Sequence, residues 1–183
     1  MHHTYETLKS GSLQEVRAAI RAGAYQSHTA GLGRGYLQAN LAIMPSTYAL
    51  DFMRYCQRNP KPCPLTGVSD TGNPRMFTMG RDIDIRTDVP AYNIYCDGKL
   101  ETSVSDIKDL WTDDMVVFAL GCSFTFENAL LRNDIPVRHI EKGLNVPMYR
   151  TNIDLVPAGR FGGKMVVTMR PIPQAQVAQA YEI

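Results

Sequence analysis

In the stretch GCSFTFE, Gly121 to Glu127, a cysteine, a serine and a glutamate stand where an apolar run, MVVFAL, gives way to a helical pattern. A strand that ends in glycine and opens a helix leaves N–H groups without intrahelical partners, so Gly121, Cys122 and Ser123 outline a cradle for an anion or a developing oxyanion. The helix end would also favour a Cys122 thiolate. Three readings therefore stand side by side: a pocket-lining residue, a covalent nucleophile, and a small side chain at a tight corner. The motif is not the Gly-x-Ser-x-Gly of a nucleophile elbow. Glu127, one turn into the helix, is either a surface acid favoured by the helix dipole or a proton-transfer group.

Other residues with chemical capacity lie on segments rich in proline and glycine. RNPKPCP holds Arg58, Asn59, Lys61 and Cys63 on a loop stiffened by Pro60, Pro62 and Pro64, where a cation could meet a carboxylate with little loss of entropy. MYRTN and GRFGG carry Arg150 and Arg160, whose guanidinium groups suit bidentate carboxylate binding or the tying of loops. Tyr149, Thr151 and Asn152 are placed to orient an amine or a carbonyl. His28, in HTAG, titrates near neutrality when exposed, and His139 falls in the alternating run VRHIE, read as a strand face. Asp82, Asp84 and Asp88 cluster, but alternating acids are more often a solvated face than a metal site.

These residues need elements to hold them. Ser12 with Glu15 forms a capping box, Leu13, Val16 and Ile20 share a helical face, and Gly23 suits the cap that ends it. After the glycines 31, 33 and 35, Leu37 to Ile43 alternate as a strand. A helix is expected from Ser46 to Arg58, with Leu50, Met53, Ala49 and Cys56 inward, stopped by Asn59-Pro60. Between Asp82 and Val104 the pattern reads as antiparallel strands, with Asp97-Gly98 as a two-residue hairpin turn. A turn at DIKDLW, a buried strand at MVVFAL, a helix through FENALLRN, strands at IPVRHIE and MVVTMR, and a helix at PQAQVAQAY complete the reading. The helical pattern of the last segment runs on to YEI without a capping glycine. The class is α/β with α+β character: a mixed sheet with helices in a two-subdomain layered sandwich. The 183 residues form one unit, with a hairpin-containing insertion at about 78–145 set between 1–77 and 146–183.

Composition excludes several classes. A formal net charge of +1 with scattered basic residues lacks the footprint of nucleic-acid binding. No stretch is apolar over the length needed to span a bilayer, and no basic region followed by an apolar stretch opens the chain. A cytoplasmic location is the expectation. The four cysteines, at 56, 63, 96 and 122, form no Cys-x-x-Cys pair, so neither a zinc site nor a disulfide framework is expected. No cofactor and no metal is expected.

Taken together, TAGLGRGYLQANLAIMP, FMRYCQRNPKPCPLTGV, DIRTDVPAYNIYCDGKL, DLWTDDMVVFALGCSFTFENAL, IPVRHIEKGLNVPMYRTNI and PAGRFGGKMVVTMRPIP resemble the hydro-lyase family that includes D-glutamate cyclase. The resemblance runs from about Arg17 to the last residue. It implies a two-subdomain α/β lyase acting on a small amino or carboxylic acid, as the cyclase interconverts D-glutamate with 5-oxo-D-proline and water. It also implies C-terminal truncation, because family members continue with a tryptophan-alanine-cysteine-glycine segment and a histidine-rich one ending in Gly-His-Met. On the cyclase reading, Arg150 or Arg160 clamps the carboxylate, the Gly121–Ser123 corner donates to the oxyanion, and Lys61, His28 or Glu127 handles protons. Asn59, Tyr149, Thr151 and Asn152 complete the expected substrate contacts. A homo-oligomer is left open, as are a cysteine-dependent amide or acyl-transfer enzyme and a non-enzymatic metabolite binder or inactive fragment.

Overall fold

The computed structural model describes residues 4–183. Two short capped helices come first, α1 (Tyr5–Lys9) and α2 (Leu13–Arg21), followed by β1 (Ala39–Pro45), α3 (Ser46–Arg58) and β2 (Leu65–Val68). A hairpin of β3 (Tyr92–Cys96) and β4 (Lys99–Val104) precedes the central strand β5 (Met115–Gly121). Then come α4 (Phe124–Arg132), α5 (Arg138–Glu141), a second hairpin of β6 (Met148–Asp154) and β7 (Lys164–Thr168), and α6 (Val177–Glu182).

β5 organises the interior. It lies between β1 and β2 and is antiparallel to both, with Ala39 opposite Gly121 and Pro45 opposite Met115. Val116 and Phe118 face one side, where they pack with Phe52, Tyr55 and Cys56 of α3 and with Ala158. Val117 and Ala119 face the other, against Met76 and Ile85. A strand covered on both faces has no solvated side, which is why MVVFAL is a continuous apolar run rather than an alternating one. Burying the Phe118 side chain alone is worth about 1.5–3 kcal/mol.

The expected combination of helices and strands is present, but the pairing differs in detail from a mixed sheet. All named strand pairs among the described residues are antiparallel and fall into three small sheets. Asp97 and Gly98 both take positive φ, as the tight turn between β3 and β4 demands. α3 spans the predicted residues, yet its buried face is Phe52, Tyr55 and Cys56, while Leu50 and Met53 are exposed. The larger aromatic surfaces take the core side.

Two expected strands are absent. Residues 82–88 form turns with a single bridge, Arg75 to Asp84, because the aspartates accept local backbone bonds: Asp84 takes the N–H of Arg86, and Asp88 takes that of Asp84. Such side-chain bonds compete with a strand ladder. Their remaining valence goes to arginines, Asp82 and Asp88 holding Arg17 and Arg21 of α2 while Asp84 holds Arg86. IPVRHIE is likewise not a strand but the approach to α5 and α5 itself. Val137 and Ile140 are both buried at helical spacing, packed with Leu130 and Ile135.

Candidate functional site

α4 begins immediately after the Gly-Cys-Ser corner, and its buried face consists of Glu127 and Leu130. Glu127 is thus set into an apolar interface with its side chain 1% exposed, a position that requires compensation for the charge. Compensation comes from two directions. Arg170 donates its Nε–H to Glu127 Oε1 at 2.9 Å and an Nη2–H to the same oxygen. His139 Nε2 also lies 2.9 Å from that oxygen, without the alignment of a good hydrogen bond. All three nitrogens crowd Oε1, leaving Oε2 buried and unpartnered.

The local sequence explains how Arg170 arrives there. It follows β7 and precedes Pro171, which restricts its backbone to extended conformations. Ile172, two residues on, packs against the Leu130, Ile135, Val137 and Ile140 cluster beside α4. The guanidinium is then held further by donating to Ser123 Oγ at 2.9 Å and Thr168 Oγ1 at 3.0 Å. Ser123 opens α4 without the usual side-chain cap, its hydroxyl accepting from Arg170 instead.

Burial dominates at His139 and pushes its pKa below the ordinary 6.5, against the opposing pull of Glu127, with Arg170 and His28 adding to the depression. The ring is therefore neutral at physiological pH and able to accept a proton. Burial likewise raises the Cys122 thiol, outweighing a backbone hydrogen bond from Phe124 and the Arg170 charge. A thiol so placed is a weak nucleophile near neutrality. The N–H groups of Gly121 and Cys122 donate to the Pro64 and Gln38 carbonyls, so neither is free to serve as an oxyanion donor.

A narrow cleft opens onto Glu127 between the glycine-rich turn and α4. Its walls include Gly31, Arg34, Gly35, Phe124, Asn128 and Ile140. His28 stands within electrostatic reach of His139. Its ring lies 5.1 Å from that of Tyr5, and its Nδ1 is buried without a partner.

The remaining nominated residues are placed elsewhere. Asn59 is buried and clasps α3 to the segment after β6, donating to the Tyr55 and Val156 carbonyls and accepting from Val156 N–H. Lys61 is exposed on the proline loop. Tyr149, Arg150 and Asn152 are exposed on β6, and Thr151 donates its hydroxyl to the Met165 carbonyl across the hairpin. Arg160 lies over the Tyr48 ring, 5.2 Å from its centre. The arginine that reaches the buried carboxylate is Arg170, and the histidine is His139. Neither was nominated from the sequence for the site; for His139, the paired apolar residues at 137 and 140 were the available signal.

These observations describe a mixed α/β protein with a buried carboxylate–arginine–histidine cluster. The model of the D-glutamate cyclase family matches residues 116–183, a span that contains Cys122, Ser123, Glu127, His139 and Arg170. The chain is 68% identical over 179 residues to a protein of Ruegeria pomeroyi and 72% identical over 179 residues to one of Dinoroseobacter shibae, in each case across 98% of its own length. It is also 51% identical over 177 residues to a protein of Bordetella petrii. All three relatives bear the name "putative hydro-lyase". The chain belongs to this hydro-lyase family, and it spans 65%, 60% and 67% of the three relatives' lengths respectively.

Proposed function

We propose that the chain carries the acid–base centre of a hydro-lyase acting on a small amino or carboxylic acid, with cyclisation of D-glutamate to 5-oxo-D-proline as the specific reaction. The observation that carries this reading is Glu127, a deeply buried carboxylate beside a cleft, with one oxygen saturated by Arg170 and the other unpartnered.

The reaction sets clear demands. The substrate nitrogen attacks the distal carboxyl carbon, a C–N bond forms, a C–O bond breaks and water departs. Two protons leave the ammonium and both end on the departing oxygen, so the site needs a shuttle rather than a net source of protons. Glu127 Oε2 accepts from the ammonium, His139 is a neutral base beside it, and the Arg170 charge restrains the carboxylate and offsets negative charge nearby. Because the attack is intramolecular, orientation in the cleft removes much of the entropic barrier, roughly 7–11 kcal/mol in well-aligned cases. A covalent nucleophile is not required, which agrees with the raised Cys122 thiol.

The test is turnover of D-glutamate and of 5-oxo-D-proline, with L-isomers as controls, resolved by chiral chromatography. Stereospecific conversion that is lost in Glu127→Gln supports the reading. Conversion that survives that change removes it. The full-length Ruegeria pomeroyi relative, assayed in parallel, shows whether the remaining part of the relatives' length is needed.

A further inference from the structure

The cleft over Glu127 has donors at its mouth that the acid–base centre does not use. Arg34 belongs to the glycine-rich turn and lines the cleft, as does Asn128, next to Glu127 on α4. Arg132 lies one helical turn beyond Asn128. Gly35 has φ +86°, and a side-chain carbon added there would lie 3.1 Å from Arg132 Nη2 and 3.9 Å from Asn128 Nδ2. The absence of a side chain at Gly35 thus lets the turn approach both donors closely. Among the described residues, the side chains of Arg34, Asn128 and Arg132 make no hydrogen bond or ion pair. Arg34 and Asn128 line the cleft together with Glu127, Arg132 stands beside Gly35 at its edge, and Glu127 Oε2 is buried without a partner.

We propose that this mouth is the carboxylate subsite for an α-amino acid, with Arg34, Asn128 and Arg132 holding the α-carboxylate while Glu127 Oε2 receives the ammonium; the second half rests on the reading of Glu127 given above. The polarity matches the ligand. Guanidinium forks suit a carboxylate, and a buried carboxylate oxygen suits an ammonium. A zwitterion seated this way has its side chain as the part left to select one amino acid from another, so the subsite accounts for recognition of the class and not of the particular acid.

Calorimetric titration of the chain with D-glutamate and with glutarate, which lacks the ammonium, separates the two halves. Arg34→Gln combined with Arg132→Gln is expected to weaken both ligands tenfold or more, equivalent to about 1.4 kcal/mol. Glu127→Gln is expected to weaken D-glutamate and spare glutarate. Both arginines are exposed, and the single Arg34→Gln variant, checked by circular dichroism, guards against a folding artefact. The subsite is overturned if the double variant binds both ligands as the parent chain does, or if the parent binds neither at millimolar concentration. Unchanged binding in the arginine variant together with turnover lost in Glu127→Gln would remove the subsite while leaving the proposed reaction in place.

Discussion

Replacing Arg170 by methionine isolates the energetics of the buried centre. The change keeps an apolar stem of similar reach but removes the guanidinium from Glu127, whose side chain is 1% exposed, and from the hydroxyls of Ser123 and Thr168. Breaking a buried ion pair by deleting one partner costs about 3–5 kcal/mol, because the surviving charge is left uncompensated. Arg170 is itself 11% exposed, and His139 remains beside the carboxylate, so the lower end, about 3 kcal/mol, is the expected value. In a chain of this size each kcal/mol moves the melting midpoint by roughly 2–4 °C, giving a fall of about 6–12 °C. The assay is urea denaturation with parallel thermal melts at pH 7.5 on the parent, Arg170→Met, Glu127→Gln and the double variant. The double variant should be more stable than the sum of the single costs by about 2 kcal/mol, since removing both charges removes the uncompensated one. A cost for Arg170→Met below about 1 kcal/mol, or single costs that simply add, would refute the argument that the guanidinium compensates the buried carboxylate.

The depressed His139 pKa implies a pH dependence whose sign is fixed: the unfolded state binds a proton near pH 6.5 and the folded state only lower, so stability from this group is present above pH 6.5 and lost as pH falls through the folded value. His139→Gln should flatten the decline in urea midpoint below pH 6.5, and an unchanged slope would contradict the assignment. Burial pushes the Cys56 thiol up to about 11 and raises Cys122 as well, whereas Cys96 is exposed. Iodoacetamide at pH 7.5, followed by peptide mass spectrometry, should therefore modify Cys96 first and Cys56 last; early labelling of Cys122 would restore its candidacy as a nucleophile. Asn59→Ala removes three hydrogen bonds made by a buried side chain and should cost about 2–3 kcal/mol in the same urea assay. A neutral Asn59→Ala with impaired ligand binding would instead make Asn59 a substrate contact.

Local chemistry was legible in the sequence wherever it decided the local structure. The capping box at Ser12, the Asn59-Pro60 stop, the Asp97-Gly98 turn and the buried run of β5 each correspond to an observed feature. The aspartates at 82, 84 and 88 were misleading because their alternation imitates a strand while their side chains bond to backbone and to arginines. The corner before α4 could be recognised as polar, and Ser123 and Glu127 could be nominated from it. Their partners could not, because a buried charge is written in sequence just as an exposed one is. Tertiary packing, with Ile172 set beside α4, accompanies the approach of Arg170 to Glu127, and His139 is buried on the helical turn Arg138–Glu141.

The position of β5 has a consequence for how the chain comes together. Both of its partners, β1 and β2, precede it, and β1 pairs with it from Ala39–Gly121 to Pro45–Met115. On the ribosome the two outer strands emerge first and must wait, with their edges unpaired, until the strand between them has been made. Such long-range closure slows folding and leaves apolar strand edges open to other chains in the interval. The central sheet should therefore acquire protection only after residue 121 has emerged, although two of its three strands are made well before, and the yield of folded protein should depend on the pace at which residues 65 to 121 are translated.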